Sequence, residues 1–333
     1  MKQKQFLLGL APILEMLFAL LVLFWRTRVP GWESGWDQAG KWRERRRNPQ
    51  DGAQGDAGME RLTTGIGRLW PSQPVVWHGS FLTQRDRSGE QEWMDLPNRD
   101  PRELAEMFKD LRRVNHWLGG RQMTVRGLER LLSDRHSGEH ITILDVASGS
   151  VDIPRVMSRW SRHRKVSIVA TDINPEVLKL AKESGSPDTI QLVAADALRL
   201  PFANDAFDIA ACSFFLHHLD PDDVVIALSE MRRVSQSGVL INDMIRGWTS
   251  YIGAWTFSHA FTRNRISRHD APLSARRSYT RNELIELAAR AGLEPLACYG
   301  FFGYRMMMVT TDRSTAPEST PQKNVSSRHV TTS

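Results

Sequence analysis

Three aspartates, one run of small residues and a pair of histidines are the groups in this chain whose types and spacing suit joint chemistry. Asp145 lies inside the apolar stretch 141–146, and Asp172 and Asp196 each follow a later apolar stretch, 27 and 24 residues further on. Each interval is the length of one strand–helix unit, so all three acids fall near the carboxyl ends of successive strands, where an open parallel sheet has its binding crevice. Ala147-Ser148-Gly149 follows the first acid, a turn of small residues that a ligand can approach closely before a helix opens.

Such a constellation suits a nucleoside with a cationic tail. A ribose diol donates two hydrogen bonds, and Asp172 offers it a carboxylate. An adenine ring needs an acceptor for its amino group and apolar walls, and Asp196, Ala197 and Ile173 supply both. Asp145 places negative charge beside an ammonium or sulfonium, while the Ser148–Gly149 backbone faces the tail's carboxylate. An acid within the first strand favours S-adenosylmethionine over a dinucleotide. Aspartate also ends strands for structural reasons, by capping the next turn. Three in successive equivalent positions favour the ligand.

His217 and His218 follow the fourth apolar stretch and face the same crevice. Imidazole titrates near neutrality and suits the deprotonation of a phenol or an activated carbon acid. His218 is favoured for that role, with His217 as the second candidate and one of the pair expected to pack against the helix opening at Pro221. Asp243, and His269 with Asp270, are further possibilities.

The elements that must position these groups read as alternating strands and helices. Strands are predicted over 141–147, 165–171, 190–195, 207–213 and 238–243, with helices over 152–162, 175–184 and 221–233. Near-continuous apolar strands such as 166–170 suit a sheet covered on both faces. The alternation implies an α/β, doubly wound, Rossmann-like and mostly parallel sheet. Upstream, Asp100-Pro101-Arg102-Glu103 aligns a cap, a first-turn proline and an N3 acid, opening a helix striped with Leu104, Met107, Phe108, Leu111, Val114 and Leu118. A second helix with Val125, Leu128, Leu131 and Leu132 on one face follows Gly119-Gly120. Thr280 to Glu283 reads as another capping box, for a helix through Ala291, and two strands are expected around 294–299 and 304–310.

Taken together, these motifs resemble the class I S-adenosylmethionine-dependent methyltransferases, especially the bacterial small-molecule type related to quinone-biosynthesis enzymes. The resemblance rests on Leu144-Asp-Val-Ala-Ser-Gly149, Ala170-Thr-Asp-Ile-Asn-Pro175, Ala195-Asp-Ala197, the 200–208 segment Leu-Pro-Phe-Ala-Asn-Asp-Ala-Phe-Asp and Ser213-Phe-Phe-Leu-His-His-Leu219. It covers roughly 100–312. It implies about seven strands with the last antiparallel, a helical lid, and S-adenosylmethionine held by Asp145, Ala147, Ser148, Gly149, Asp172, Ile173, Asp196, Ala197 and Ser213. One departure stands out. The family's turn reads Gly/Ala-x-Gly-x-Gly, whereas here Val151 holds the last position. A β-branched residue resists φ > 0, and Val151 is expected to add bulk where the cofactor's tail lies.

Composition narrows the rest. Two cysteines far apart, Cys212 and Cys298, support neither a disulfide framework nor a zinc site, and no metal is expected. The net charge of +6 and the basic run 41–47 come without a nucleic-acid module, so no nucleic-acid partner is expected. Phe6 to Trp25 is almost wholly apolar, and twenty residues can just cross a ~30 Å bilayer. Residues 1–30 therefore read as a possible membrane anchor. The basic residues that follow leave the catalytic bulk in the cytoplasm, and Glu15 within the span counts against it. Residues 31–93 read as a poorly ordered Trp- and Arg-rich linker, 94–140 as a helical cap, 141–312 as the core and 313–333 as a disordered tail. The 244–279 insertion carries Trp248, Tyr251, Trp255, Phe257, Phe261 and Tyr279 with Arg263, Arg265, Arg268, Arg276 and Arg277, which suits a flat or lipidic acceptor such as a phenol, quinol or polyketide and equally suits a helical pair packed on the domain with a solvated basic edge. Two other functions compete. An NAD-dependent oxidoreductase shares the sheet and Asp172 but requires a third glycine that this turn lacks. A catalytically weak or inactive binding protein at the membrane would explain Val151.

Overall fold

The computed structural model describes residues 86–312, apart from 98, 134, 136, 137, 162–164 and 302, and apart from the side chains of 297, 299–301 and 312. The expected anchor over 1–30, most of the 31–93 linker and the 313–333 tail lie outside the described residues. Among the described residues, no helix is long and apolar enough to cross a membrane.

Seven strands form one sheet: β1 (His140–Val146), β2 (Lys165–Asp172), β3 (Ile190–Ala194), β4 (Phe207–Ser213), β5 (Ser235–Met244), β6 (Leu293–Phe301) and β7 (Arg305–Asp312). Their order is β3-β2-β1-β4-β5-β7-β6. β1 to β5 run parallel, and β7 pairs antiparallel with both β5 and β6. The chain winds outward from β1 to β3, then returns beside β1 with β4. That reversal puts the ends of β1, β2 and β4 around one crevice.

Eight helices complete the described fold: α1 (Pro101–Trp117), α2 (Gly120–Leu131), α3 (Asp152–Trp160), α4 (Pro175–Glu183), α5 (Pro221–Val234), α6 (Trp248–Phe261), α7 (Arg265–Arg277) and α8 (Arg281–Arg290). Asp100 caps α1 by accepting from Arg102 N, and the Thr280–Glu283 capping box opens α8. Alternate strand residues enter opposite cores, as the period of two requires. Leu144, Ala210, Cys212, Met306 and Met308 meet α5 and α8. Ile143, Ile209, Ala211, Met307 and Val309 meet α2 and α3. The buried side of α2 is Met123, Thr124, Gly127 and Leu128, a face turned from the expected one, with Val125 only half-buried. Gly127 sets its distance from the sheet, since an added Cβ would stand 2.3 Å from Leu240 Cδ1.

One segment departs from the sequence expectation. Residues 86–93, assigned to a poorly ordered linker, form a strap that ends in a 3-10 turn, Trp93–Asp95. Arg87 fastens it, donating to the carbonyls of His217 (3.0 Å), Leu219 (2.6 Å) and Arg277 (2.6 Å). Asp270 receives the amides of Trp93 and Met94 at 2.8 and 2.9 Å. The long-range hydrogen bonds of the strap have no local periodicity, which is why it reads as featureless. The 244–279 insertion folds as the α6–α7 helical hairpin.

Candidate functional site

The β1–α3 turn carries unusual backbone geometry. Ala147, Gly149 and Val151 have φ of 54°, 51° and 61°. The left-handed region disfavours a β-branched residue, and Val151 occupies it as the residue preceding α3. Its side chain is fully buried among Met123, Ile143 and Met157. The expected bulk toward the cofactor's tail is therefore absent: positive φ turns Val151 into the core beneath the turn. Gly149 is held by its amide, which donates to Asp172 Oδ2 at 3.0 Å, and the other Asp172 oxygen receives Asn174 N at 3.0 Å.

A cavity of about 690 Å³ opens over this turn. All nine residues singled out for the cofactor line it: Asp145, Ala147, Ser148, Gly149, Asp172, Ile173, Asp196, Ala197 and Ser213. The volume is that of a nucleotide-sized ligand site. Asp145 is 1% exposed and its Oδ1 has no hydrogen-bond partner. Burial, with the negative charges of Asp152 and Asp172, pushes this carboxyl up to about 7. A buried acid oxygen without a donor is costly, and a cationic ligand group relieves that cost. Ile173, 69% exposed, offers an apolar wall at the rim. These features fit S-adenosylmethionine.

A second cavity, of about 170 Å³, lies under α1, α6 and α7. Apolar side chains dominate its lining, among them Met94, Met107, Leu111, Val114, Leu118, Met244 and Phe257. The two cavities meet at Met94, Leu111, Phe214 and His218, which line both. Of the six aromatic residues expected to face an acceptor, Phe257 alone lines this cavity. Trp248 and Trp255 point outward, and Tyr279 donates to Leu219 O at 2.6 Å. The expected arginine rim divides as well. Arg277 is buried, and donates to the carbonyls of His217 (3.2 Å) and His218 (2.8 Å).

The histidine pair sits on a 3-10 turn, Leu216–His218. His217 Nδ1 lies 2.7 Å from Asp243 Oδ1, both side chains being buried. Asp243 also receives the amides of Leu216 and Met244 at 2.8 and 2.7 Å. Burial opposes its ionised form, yet the charge and hydrogen bond of His217 hold Asp243 below the ordinary carboxylate range. In the neutral ring, with Asp243 accepting at Nδ1, the acceptor of His217 is Nε2, and the charge that lowers Asp243 is that of the ring once Nε2 has also taken a proton. His218 is placed differently. Its Nδ1 meets Asp95 Oδ2 at 2.8 Å and its Nε2 lies 3.9 Å from Glu92 Oε2. Burial disfavours its charge, but Glu92 and Asp95 outweigh that and raise its pKa to about 9. His218 is thus an imidazolium at neutral pH, not the near-neutral base its residue type suggests.

Glu92 and Asp95 had no signature in the sequence. They belong to the strap, and only tertiary contact brings them to the histidines. Glu92, 1% exposed, also approaches His217 Nε2 at 3.8 Å and Arg277 Nε at 3.9 Å. One donor atom each from Glu92, His217 and His218 lies within 4.8 Å of the others, a spacing that a metal ion could use. The protonated His218 and Arg277 balance the same acids directly. His269 and Asp270 lie on α7, where Asp270 anchors the strap and His269 stacks on Trp93 with centroids 4.0 Å apart. Arg305, also unmarked in the sequence, is fully buried at the start of β7, 3.8 Å from the Phe214 ring centroid.

Comparison with known proteins bears on these cavities. A family model described as a methyltransferase domain matches residues 144–241. A demethylmenaquinone methyltransferase from Thermobifida fusca is 30% identical over 195 residues, spanning 50% of this chain and 76% of that protein. A ubiquinone/menaquinone biosynthesis C-methyltransferase from Rickettsia massiliae is 35% identical over 118 residues, 32% of this chain and 47% of that one. The chain thus spans about three quarters of the first relative and about half of the second. Among solved structures, an S-adenosylmethionine-dependent methyltransferase from Aquifex aeolicus aligns with a TM-score of 0.44 at 18% identity, covering 64% of this chain and 98% of that one. The family model and the two curated relatives do not favour the oxidoreductase and inactive-binder readings. The chain belongs to the class I S-adenosylmethionine-dependent methyltransferases, related to the quinone-biosynthesis type.

Proposed function

We propose that this enzyme methylates a flat, apolar acceptor that carries an ionisable hydroxyl, a phenol or quinol, with His217 as the base. One observation carries this: His217, paired with Asp243 at 2.7 Å, lines an apolar cavity that adjoins the nucleotide-sized one. The two quinone-biosynthesis methyltransferases to which the chain is similar support a quinol ring.

When bound, S-adenosylmethionine supplies a methyl group already activated on a sulfonium. The protein's own work is then to orient, to exclude water and to manage one proton. Asp172 receives the ribose hydroxyls, Asp196 with Ile173 and Ala197 the adenine, and Asp145 faces the cationic tail. Asp243 fixes the tautomer and orientation of His217, leaving Nε2 to take the acceptor's proton. The new imidazolium is stabilised by Asp243 on one side and Glu92 on the other. His218, charged and held by Asp95, lies where the cavities meet and stabilises an acceptor oxyanion. Phe214 and Leu111 stand where the two cavities meet, against both ligands. The basic residues that follow the apolar segment 6–25 support a cytoplasmic catalytic domain.

Mass-spectrometric methyl transfer to a panel of phenols and hydroquinones tests the reading. Transfer to hydroquinones but not to their methyl-blocked ethers, with turnover lowered at least a hundredfold in His217→Gln, is expected. Undiminished turnover in His217→Gln would remove the base from the scheme.

A further inference from the structure

Helix α6 has different chemistry on its two sides. None of its 14 residues is Asp, Glu, Lys or Arg. Thr249, Ser250, Gly253 and Phe257 line the apolar cavity. On the far side Trp248, Ile252 and Trp255 are 47%, 40% and 47% exposed. At ~100° per residue these three, with exposed His259, fall within about a 60° arc. The His259 ring stacks on Trp255 with centroids 4.5 Å apart, so the outward indole is held in place. The other exposed large hydrophobic side chains among the described residues, Ile173, Ile226 and Leu296, lie on three separate elements. Only α6 gathers them into a stripe.

The charge in the sequence that flanks this stripe has one sign. Between Asp243 and Asp270 the chain has no acidic residue, and Arg263, Arg265 and Arg268 follow the helix with exposed side chains. Arg246, the remaining arginine of that stretch, is buried against Glu283. Indole rings favour the boundary between headgroups and acyl chains, because they pair an apolar body with an N–H donor. Arginines beside them favour anionic headgroups. A 14-residue helix spans ~21 Å, too short to cross ~30 Å of hydrocarbon, so it can only lie in the surface plane.

We propose that α6 docks on the surface of an anionic lipid bilayer, with Trp248, Ile252 and Trp255 at the headgroup–acyl boundary and Arg263, Arg265 and Arg268 against lipid phosphates. The same helix is a wall of the apolar cavity. A lipidic acceptor then has one helix to pass between bilayer and cavity. Docking itself requires no methyl transfer and stands apart from the acceptor assignment.

The test uses the full chain carrying Ile252→Cys, labelled with an environment-sensitive fluorophore, since Cys212 and Cys298 are both buried. Phosphatidylcholine vesicles are compared with vesicles that also contain phosphatidylglycerol. Docking predicts a blue shift of the label and quenching by bromine-labelled acyl chains with the anionic vesicles, both reduced by high salt. It also predicts at least a tenfold loss of vesicle affinity in Trp248→Ser/Trp255→Ser, with an unchanged melting temperature. A label that keeps its aqueous emission on vesicle-bound protein overturns the proposal, because the chain then docks elsewhere, as through residues 6–25. A label shifted before lipid is added also overturns it, because protein covers the stripe. Loss of transfer to every phenol and quinol, with the label still entering lipid, counts against the acceptor assignment alone.

Discussion

Asp95 Oδ2 lies 2.8 Å from His218 Nδ1, across 123 residues of sequence. The contact ties the strap to the histidine turn and makes the charge of His218 a property of the assembled site. Since His218 titrates at about 9 in the fold, above the ordinary imidazole value of 6.5, its contribution to stability is complete below pH ~6.5 and is lost as pH rises through about 9. Asp95→Asn should lower that titration by at least one pH unit and flatten the loss of melting temperature between pH 7 and 9. NMR titration of the His218 ring against pH, with melting curves across the same range, checks both.

Asp145 predicts the opposite pH behaviour for cofactor binding. Its carboxyl is protonated below about 7 in the free protein, and a cationic tail binds the ionised form. Affinity for S-adenosylmethionine should therefore fall as pH drops below 7, with uptake of the ligand releasing a proton. Because its pKa is raised on folding, ionisation of Asp145 destabilises the free protein as pH rises through the window from 3.8 to about 7. Asp145→Asn should then melt higher than the parent at pH 8 while binding the cofactor at least tenfold more weakly. Calorimetry in buffers of different ionisation enthalpy measures the proton release. An affinity flat from pH 5.5 to 8 would contradict the placement.

Asp172 spends one hydrogen bond from each oxygen on the turn, to Gly149 N and Asn174 N. Its replacement should harm both the turn and the ribose contact. Asp172→Ala is expected to weaken cofactor binding by ~1–3 kcal/mol, the range for losing a buried hydrogen-bond partner. Asp172→Asn should recover part of that, since its carbonyl oxygen still accepts one amide. Dissociation constants for the two variants provide the comparison.

Val151→Gly should leave cofactor affinity within about twofold of the parent, because the valine side chain points into the core. Two terms oppose each other in stability. Relief of the left-handed conformation returns ~1–2 kcal/mol, while loss of a buried valine costs ~1.5–3 kcal/mol. A small net destabilisation, read from chemical denaturation, is the expected result. A tenfold tighter complex would restore the obstruction that the sequence suggested.

Arg87→Ala releases the strap at its first fastening, with three carbonyl acceptors and the Asp220 pair lost together. Hydrogen exchange of the Leu216–Leu219 amides should quicken, and turnover should fall about tenfold through misplacement of His217. An unchanged exchange pattern would mean that Asp243, Arg277 and Tyr279 hold the histidine turn without Arg87.

Strand spacing, the three acids and the small-residue turn were legible in the chain, because a period of two and a strand–helix unit of fixed length leave local marks. The parallel part of the sheet followed from those marks, whereas the antiparallel last strand and the full set of nine cofactor residues followed from the family resemblance. The histidines were visible as a pair. What separates them was not: His217 pairs with Asp243 from β5, and His218 with Asp95 from a strap that has no periodicity. The outward turn of Trp248 and Trp255, the burial of Arg277 and Arg305 and the inward turn of Val151 were equally hidden. Local sequence determined which backbone elements form and which ends carry acids. Only tertiary packing decided protonation, side-chain direction and the shape of the acceptor cavity, since each depends on charges and contacts from residues remote along the chain.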